Sequence, residues 1–510
     1  MTSPLASLTQ LKKTAASRGW FRDKRFVQHG IGPLGAYAFQ HFLPPSLIVC
    51  LYHGDEVERY MEKEWPTKVI SYEKLNGVRV CDGSDFHDNF FRDYGDDILK
   101  AAGGASAPVD LVPFAPSWAI HEFLYRRAPA WRHLANSKIM QDFFEFKSRL
   151  ALEAKKIGIP MPPASLVKPF GQLEYRFLAD KYPDGFVIQT PLSAAGKGTE
   201  FVFTEDDFHR VVDEKRTFMG EAFASTPAKV TPFLSGPSPN MTGCVVNGTV
   251  VLSQPDIQIV GDPYFVKTPG QYIGSDFTVK AFSPEQTRLM RDVVRRIGEW
   301  MGSLGYRGNF GVDFLSTVDK NNRVKDISVS EVNARLVGEY HYLSDFQAMK
   351  DCVPLSFFHL AEWMNIREIT PKEIAEYNES LPEVEGSALA LYTREKGIFR
   401  AAGGITAGIY RLENGKPQRV RDGYLASHCR GADEFAITAG VPWEGLVIGH
   451  PRFGDYNVNI CYLYTRDSIV DPNNFRVVSK KWREIADAVV KAFELTPCEP
   501  RQKYRLRKVT

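Results

Sequence analysis

The 510 residues carry 63 basic and 61 acidic side chains, and the net charge of +2 gives no reason to expect nucleic acid or another polyanion as a partner. The seven cysteines are scattered without metal-ligand spacing, which is typical of reduced thiols in a cytoplasmic protein. No apolar run reaches the roughly 18 residues of a membrane span, and the first 25 residues show no secretory signal. The length predicts about three or four domains.

The amino-terminal part of the chain, residues 1–135, alternates short apolar runs with helical segments in an α/β pattern. The apolar run at 45–52 predicts a buried strand, and a helix is expected at 56–63.

From residue 136 the pattern changes to a helix followed by three strands, predicted at 138–156, 164–167, 186–189 and 200–203. Ser137 is placed to cap this helix, and Gly158 is placed to end it. A longer helix is predicted at 284–304, because Ser283 and Gln286 form a capping box ahead of an apolar stripe. Two strands at 310–317 and 324–333 follow, joined by an Asp-Lys-Asn-Asn turn, and the region after 380 is β-rich.

The hairpin formed by these two strands carries a cluster of polar residues. Glu331 and Asn333 lie two apart and share a face, and the turn places Asp313 nearly opposite Ser330, beside Glu331. Two carboxylates and an amide oxygen are the hard ligands that magnesium prefers. Arg335 follows on the same face, where it can neutralise charge on a phosphoryl group. A surface hairpin with its polar residues facing water is the alternative interpretation.

A loop of small residues lies between the strands at 186–189 and 200–203. Ser193, Gly196 and Gly198 leave backbone amides bare for phosphate, and Lys197 adds charge. The loop is not a Walker A sequence, because Pro191 and Gly198 stand at positions that need Gly and Ser/Thr. An ordinary turn is the alternative.

The order of these parts resembles the ATP-grasp superfamily over about residues 136–360, most specifically in Gly-Val-Asp313-Phe followed by Glu331-Val-Asn333-Ala-Arg335. The resemblance implies a mixed α/β and α+β protein in which two α+β lobes clamp ATP. It also implies an α/β pre-ATP-grasp domain before the core and a small β-rich domain with a final helix and basic tail after it. The expected boundaries are 1–135, 136–379 with a lid at about 164–230, and 380–510.

The same resemblance assigns roles to individual residues. ATP and Mg²⁺ are the implied cofactors, with Mn²⁺ as an alternative metal, and Asp313, Glu331 and Asn333 are the implied metal ligands. Arg335 is the implied stabiliser of an acyl phosphate. The implied nucleotide contacts are Lys138, Gln189, Ser193, Gly196, Lys197, Gly198, Thr231, Phe233 and Leu234.

Other positions depart from the pattern or stay open. Gln189 stands where most members have a second phosphate-binding lysine, and residues 235–238 lack the usual acidic ribose contact. His341 is a candidate base for the incoming amine, with a buried structural histidine as the equal alternative.

Gln189 and the segment Gly-Glu-Tyr-His341 resemble the branch that contains the pheganomycin peptide ligase and butirosin-type carrier-protein ligases. We therefore expect a ligase that forms an amide or peptide bond through an acyl phosphate in natural-product biosynthesis, releasing ADP and phosphate. The expected partners are small carboxylate and amine substrates, free or as amino acids, peptides or carrier-bound acids, and a second subunit in a homodimer. The alternatives are a carboxylase or kinase on the same scaffold, and a catalytically weak ATP-binding or carrier-interacting protein.

Overall fold

The computed structural model describes residues 3–79, 90–193, 198–395, 397–449 and 458–499. Their strands form a five-stranded, a four-stranded and a ten-stranded sheet, with a further four-stranded sheet and a two-stranded hairpin. The predicted mixture of α/β and α+β structure is confirmed. None of the helices in these ranges is long and apolar enough to cross a membrane.

The amino-terminal region is a parallel sheet with helices around it. The strands of this sheet are β1 Phe26–Gly30, β2 Leu47–Cys50, β3 Lys68–Ser71, β5 Asp110–Pro113 and β6 Arg132–His133. The short strand β4 Val78–Arg79 belongs to the further four-stranded sheet. The helices of the region are α1 Leu8–Arg18, α2 Asp55–Glu64, α3 Tyr72–Asn76, α4 Gly95–Ala101 and α5 Trp118–Arg127. The sheet order is β3-β2-β1-β5-β6, and every adjacent pair is parallel. The predicted buried strand and helix are present as β2 and α2.

Two helices lead into the second sheet, α6 Lys138–Glu145 and α7 Lys147–Ile157. The prediction of one continuous helix over 138–156 was wrong, because the chain is extended at Phe146. The backbone N–H of Lys147 donates to Pro191 O at 3.0 Å instead of to its own helix. The predicted ends are confirmed: the Ser137 side chain caps α6, and Gly158 ends α7 with a φ of 69°.

The second sheet is antiparallel, with order β7-β10-β8-β9, and we call it the lid sheet. Its strands are β7 Leu166–Pro169, β8 Phe186–Gln189, β9 Thr199–Val202 and β10 Pro227–Pro232. Its helices are α8 Tyr175–Lys181 and α9 Glu205–Met219. A small core that includes Leu178, Ile188 and Val230 holds the sheet against these helices.

The central sheet runs through the rest of the chain in the order β15-β14-β11-β12-β13-β16-β22-β20-β18-β19. Its strands are β11 Ser238–Val246, β12 Thr249–Val260, β13 Tyr272–Asp276, β14 Gly308–Val318, β15 Val324–Asn333, β16 Ser387–Tyr392, β18 Gly408–Glu413, β19 Lys416–Arg421, β20 Phe435–Thr438 and β22 Asn459–Thr465. The remaining strands are β17 Phe399–Arg400, β21 Val447–Ile448, β23 Val470–Asp471, β24 Asn474–Val478 and β25 Thr496–Pro497.

Helices cover this sheet: α10 Pro284–Ser303, α11 Tyr340–Met349, α12 Leu355–Trp363, α13 Pro371–Glu379 and α14 Lys480–Ala492. The long helix predicted at 284–304 is confirmed as α10. Ser283 and Gln286 form the expected capping box, and Gly305 has a φ of 93°. The buried side of α10, including Val293 and Ile297, packs in one core with β11 and β12.

The carboxyl-terminal region is β-rich, as predicted, but its strands continue the central sheet. Gly274 of β13 pairs with Leu389 of β16, so the hydrogen-bonded ladder crosses the boundary expected near residue 380. One hydrophobic core joins Ile257 and Ile273 with Leu463 and Trp482. The final helix is α14, and the basic tail lies outside the described residues.

Candidate active site

The predicted hairpin places two carboxylates side by side on β14 and β15. Asp313 lies directly opposite Glu331, one residue from the predicted partner Ser330. The register shifts immediately after Asp313, which makes Ser330 the extra residue of a β-bulge. Bulges turn side chains and are frequent beside active sites. Here the bulge brings the two carboxylates face to face, and Asn333 follows on the same side.

Asp313 is surrounded by amide groups. Asn240 on β11 donates to Oδ1 at 2.6 Å, and Asn333 donates to Oδ2 at 2.9 Å. Gln258 on β12 approaches Oδ1 at 3.4 Å. Burial and the neighbouring Glu331 nonetheless raise the pKa of Asp313 to about 7. The two partly buried carboxylates therefore repel each other where water screens them incompletely, and added positive charge would stabilise the pair.

Two buried lysines face Glu331 from the lid side. Lys147, at the start of α7, places Nζ 2.6 Å from Glu331 Oε2 and donates to Ser193 O at 3.0 Å. Lys229 on β10 donates to Ser330 O, the carbonyl of the bulge, at 2.5 Å. Burial raises the pKa of Glu331, but the attraction of Lys147 outweighs burial and the pKa lies below its ordinary value. Burial lowers the pKa of Lys229 to about 8, against the attraction of Glu331.

Arg335 lies at the end of the hairpin, beside the predicted metal ligands. Its Nη2 donates to Asn333 Oδ1 at 3.0 Å, and its Nε lies 3.4 Å from Glu145 Oε1. The guanidinium stands over the ring of Phe114, 5.4 Å from its centroid. Phe114 directly follows β5, so Arg335 faces the carboxyl edge of the parallel sheet, where such sheets commonly bind ligands.

The two polar residues predicted to reach the nucleotide phosphates, Lys138 and Gln189, differ in their surroundings. The Nζ of Lys138 pairs with Asp142 on its own helix, and a quarter of the Lys138 side chain is exposed. Gln189 is buried on β8, directly opposite Lys229, and its Nε2 approaches Thr199 Oγ1 at 3.4 Å. The buried cations next to the carboxylates are thus Lys147 and Lys229, which the sequence interpretation did not single out.

The predicted loop is described only at its ends. Gly198 O accepts from the Thr190 N–H at 2.9 Å, and Ser193 O accepts from Lys147, so both ends are held near the lysines. A side chain at Gly198 would collide with Thr190 and Ser193. Gly196 and Lys197 lie outside the described residues.

The predicted hinge joins the lid sheet to the central sheet. Thr231 is buried on β10 opposite Val187, and the Phe233 N–H donates to Gly185 O at 3.0 Å. Leu234 follows, and the chain then enters β11. The Phe233 ring packs on Phe203, which places an aromatic surface beside the connection.

His341, the candidate base, lies on α11. Its Nε2 is 2.7 Å from the Tyr464 hydroxyl, while its buried Nδ1 has no hydrogen-bond partner. Burial lowers the pKa of His341 to about 3. A neutral structural histidine fits this environment better than a proton acceptor, because so weak a base takes up few protons at neutral pH.

The residues that sequence reasoning missed carried a recognisable signal. Lys229 is a lone lysine in a buried strand, and Lys147 shares a helix face with the buried Leu150 and Ala154. Charged residues at buried positions are rare unless they are paired, so both positions mark a site. Asn240 and Asp256 interrupt apolar strands in the same way.

No family model matches the chain. The butirosin acyl-carrier protein–L-glutamate ligase of Niallia circulans is 26% identical over 151 residues, 29% of this chain and 32% of that protein. The match therefore spans about a third of the length of this curated relative.

Three solved structures are similar over most of the chain. The biotin carboxylase domain of Hydrogenobacter thermophilus 2-oxoglutarate carboxylase, determined with MgADP and bicarbonate, covers 87% of this chain and 86% of its own at a TM-score of 0.55 and 13% identity. For Campylobacter jejuni biotin carboxylase, the similarity covers 87% of this chain and 88% of that chain, with a TM-score of 0.54 and 14% identity. For Rhizobium etli pyruvate carboxylase, it covers 87% of this chain and 36% of that chain, with a TM-score of 0.56 and 13% identity. The chain therefore has the ATP-grasp fold.

Proposed function

We propose that this chain is an ATP- and magnesium-dependent carboxylate–amine ligase that forms an amide or peptide bond through an acyl phosphate. The observation that carries the proposal is the meeting of Asp313, Glu331 and Asn333 with Lys147, Lys229 and Arg335 between the lid sheet and the central sheet. Hard oxygen donors, buried ammonium groups and a guanidinium are the set of groups that transfer of a phosphoryl group needs.

The donor set fits a magnesium ion. Asp313 and Glu331 offer carboxylate oxygens and Asn333 an amide oxygen, and burial together with the charge of Glu331 raises the pKa of Asp313, which a cation would counter. No group of three or more His, Cys, Asp or Glu capable of holding a metal occurs in the described ranges. Magnesium commonly takes only one or two carboxylates and completes its shell with phosphates and water. When bound, Mg²⁺ would neutralise charge on the nucleotide phosphates.

We assign the nucleotide phosphates to Lys147 and Lys229 rather than to Lys138 and Gln189. Lys147 contacts Glu331, and Lys229 contacts Ser330, the bulge residue just before Glu331, whereas Lys138 pairs with Asp142. Lys229 would provide, from the strand paired with β8, the charge that Gln189 lacks. The loop at 193–198 would cover the phosphates, and the connection at 231–234 would meet the adenine.

The chemistry follows from these positions. A carboxylate is a poor acyl donor to an amine, so its oxygen first attacks the γ-phosphorus of ATP and ADP leaves. The amine nitrogen then attacks the acyl carbon, the carbon–oxygen bond breaks, and phosphate leaves with the former carboxylate oxygen. Arg335 would hold the equatorial oxygens during the first step. The closed lid would keep water from hydrolysing the acyl phosphate.

The chain is proposed to act in the cytoplasm on small acids and amines, with amino acids, peptides and carrier-bound acids as the first candidates. Support comes from the name of the curated relative, which joins L-glutamate to an acyl-carrier protein. A carboxylase is the second candidate, because the similar solved structures include biotin carboxylases.

The test measures ADP release with ATP and Mg²⁺ over a panel of acids and amines. Control reactions leave out the acid or the amine, one at a time. Bicarbonate with biotin forms a separate arm. We expect release that needs both an acid and an amine, and a loss of more than about 10²-fold in Glu331→Gln. Glu299→Gln, on the exposed face of α10, is the matched control and should behave as wild type. Release with bicarbonate alone, or near-normal turnover in a folded Glu331→Gln protein, would contradict the proposal.

A further inference from the structure

A row of polar side chains extends the active site sideways across the central sheet. Asp256 on β12 lies opposite Asn240 on β11, Asn240 lies opposite Asp313 on β14, and Asp313 lies opposite Glu331 on β15. Directly opposed residues of antiparallel strands point to the same face of a sheet. Asp256 therefore faces the same side as the proposed metal ligands, two strands away from Asp313.

Asp256 is a carboxylate without a counter-charge. Only 1% of the residue is exposed, and neither of its oxygens accepts a hydrogen bond of ordinary geometry. In the described part of the chain no Lys, Arg or His pairs with it. Oδ1 of the adjacent Asn240 is also buried and without a donor. Buried acceptors are almost always satisfied, so three oxygens that lack a hydrogen bond of ordinary geometry at one place, with the Ser275 hydroxyl nearby, indicate a missing donor.

Glu339 adds a second carboxylate to this place. It stands at the beginning of α11, is 3% exposed, and accepts from Thr242 Oγ1 at 3.0 Å. Burial, and next the charge of Glu339, raise the pKa of Asp256 well above its ordinary range, and the nearby Ser275 hydroxyl acts in the opposite direction. Burial raises the pKa of Glu339, against the attraction of Arg335. Glu339 thus lies within electrostatic reach of both Asp256 and Arg335.

Hydroxyl groups line the other side of the two carboxylates. The Tyr272 hydroxyl lies 3.0 Å from Ser275 Oγ and 2.7 Å from the Tyr342 hydroxyl. Burial raises the pKa of Tyr342, and the charges of Tyr272, Glu339 and Asp256 act in the same direction. The surroundings are therefore polar and acidic, and they suit a small organic cation with several N–H donors.

We propose that Asp256 and Glu339, with Asn240, bind the ammonium group of the amine substrate. This inference rests on the proposed ligase function. An alkylammonium group has three N–H donors, which matches the three free oxygens of Asp256 and Asn240. Arg335, the proposed contact of the acyl phosphate, is close enough to Glu339 to lower its pKa, although burial raises that pKa more strongly. The cation would therefore be held near the acyl phosphate, and after passing one proton to a carboxylate of Asp256 or Glu339 the neutral amine would attack the carbonyl carbon.

The test compares a neutral nucleophile with a charged one in Asp256→Asn. Hydroxylamine is mostly neutral near pH 7 and traps an acyl phosphate as a hydroxamate, whereas glycinamide is largely an ammonium ion. Each is assayed with ATP, Mg²⁺ and an acid that supports ADP release in the wild type. Other primary amines from that screen extend the charged set. Asp326→Asn, exposed on β15, is the matched control.

We expect Asp256→Asn to raise the KM for ammonium-bearing amines by roughly 30-fold or more, the scale for losing one partner of a buried charge pair. Hydroxamate formation should stay within about twofold of wild type, because the nucleotide and acid sites are untouched. The substrate-free melting temperature should rise, because an isosteric amide replaces an uncompensated buried charge. Glu339→Gln should shift the amine KM in the same direction.

Three results would overturn the inference. The first is an unchanged KM for ammonium-bearing amines in Asp256→Asn. The second is a loss of hydroxamate formation in the same variant, which would place Asp256 at the acid or metal site. The third is a wild-type enzyme that accepts neutral nucleophiles but no ammonium-bearing amine. Absence of hydroxamate in the wild type over the whole acid panel would instead count against the ligase function itself.

Discussion

Lys147 and Lys229 set the charge balance of the candidate active site. Without them, the partly buried Asp313 and Glu331 would stand opposite each other, with amide groups as the hydrogen-bond donors to Asp313. The lysines offset Glu331 strongly enough to hold its pKa low, while Asp313 remains at about 7. The remaining imbalance is what a divalent cation would correct.

The first prediction separates the lysines by their role. Changing Lys147 or Lys229 to Met should weaken binding of an ATP analogue by roughly 30-fold each, equivalent to about 2 kcal/mol, because a buried charge partner of the phosphates is lost. Lys138→Met should change the affinity less than about threefold, since Lys138 pairs with Asp142. Titration calorimetry of the three variants provides the measurement. The reverse order of effects would restore Lys138 as the phosphate contact.

Arg335→Lys should slow catalysis far more than it weakens nucleotide binding. Lysine keeps the charge but loses the planar fork that holds two oxygens at once, so kcat should fall by about 10²-fold or more. The affinity for an ATP analogue should change little, since the lysines and the hinge set it. Ligation rate and analogue affinity are measured on the same variant. A large loss of affinity with an unchanged kcat would place Arg335 in ground-state binding.

The sequence predicted one part of this site better than the other. The proposed metal ligands share a strand face, and a period of two residues brings Glu331 and Asn333 together without knowledge of the fold. Lys229 reaches the site only because β10 pairs with β8 and the lid sheet then packs on the hairpin bulge. Such a contact between residues 101 apart in sequence has no local pattern.

At the scale of elements, two lysines link the lid sheet and the loop after β8 to the hairpin. Lys147 joins α7 to Ser193 and Glu331, and Lys229 joins β10 to Ser330. The break at Phe146 belongs to the same arrangement, because the N–H of Lys147 is bonded to Pro191 O. The helical period of 138–156 could not reveal this break, since a tertiary hydrogen bond creates it.

Nucleotide binding should therefore protect the segment between β8 and β9. Amide hydrogen exchange in peptides covering residues 190–200 should slow when an ATP analogue and Mg²⁺ are added together. Peptides from α10, which packs on the far side of β11 and β12, should exchange alike in both states. Equal exchange of residues 190–200 with and without nucleotide would argue against a covering role for this loop.

At the scale of the whole molecule, the central sheet joins regions that the sequence suggested were separate. The ten strands run from β15, which carries Glu331 and Asn333, to β19, and each strand is hydrogen-bonded to the next. Short hairpin turns at Asn247-Gly248 and Asn414-Gly415 have positive φ at both positions, a pattern readable from the sequence. The pairing of β13 with β16 across more than 100 residues is not readable in this way.

A chain that stops after residue 379 should fail to reach the native state. The truncation would expose the edge of β13 and remove Leu463 and Trp482 from the core they share with Ile257. We expect an aggregating protein with no cooperative thermal transition and no affinity for an ATP analogue. A soluble fragment 1–379 that binds the analogue as well as the full chain would show that the carboxyl-terminal region is an independent domain.

The most direct test of the proposed reaction follows one oxygen atom. An acid that supports amine-dependent ADP release is supplied with ¹⁸O in its carboxylate, and the released phosphate is analysed by mass spectrometry. An acyl phosphate transfers one carboxylate oxygen to phosphate when the amine attacks the acyl carbon, so we predict one ¹⁸O per phosphate formed. Phosphate without ¹⁸O, or label found in AMP together with release of pyrophosphate, would contradict the proposed ligation through an acyl phosphate.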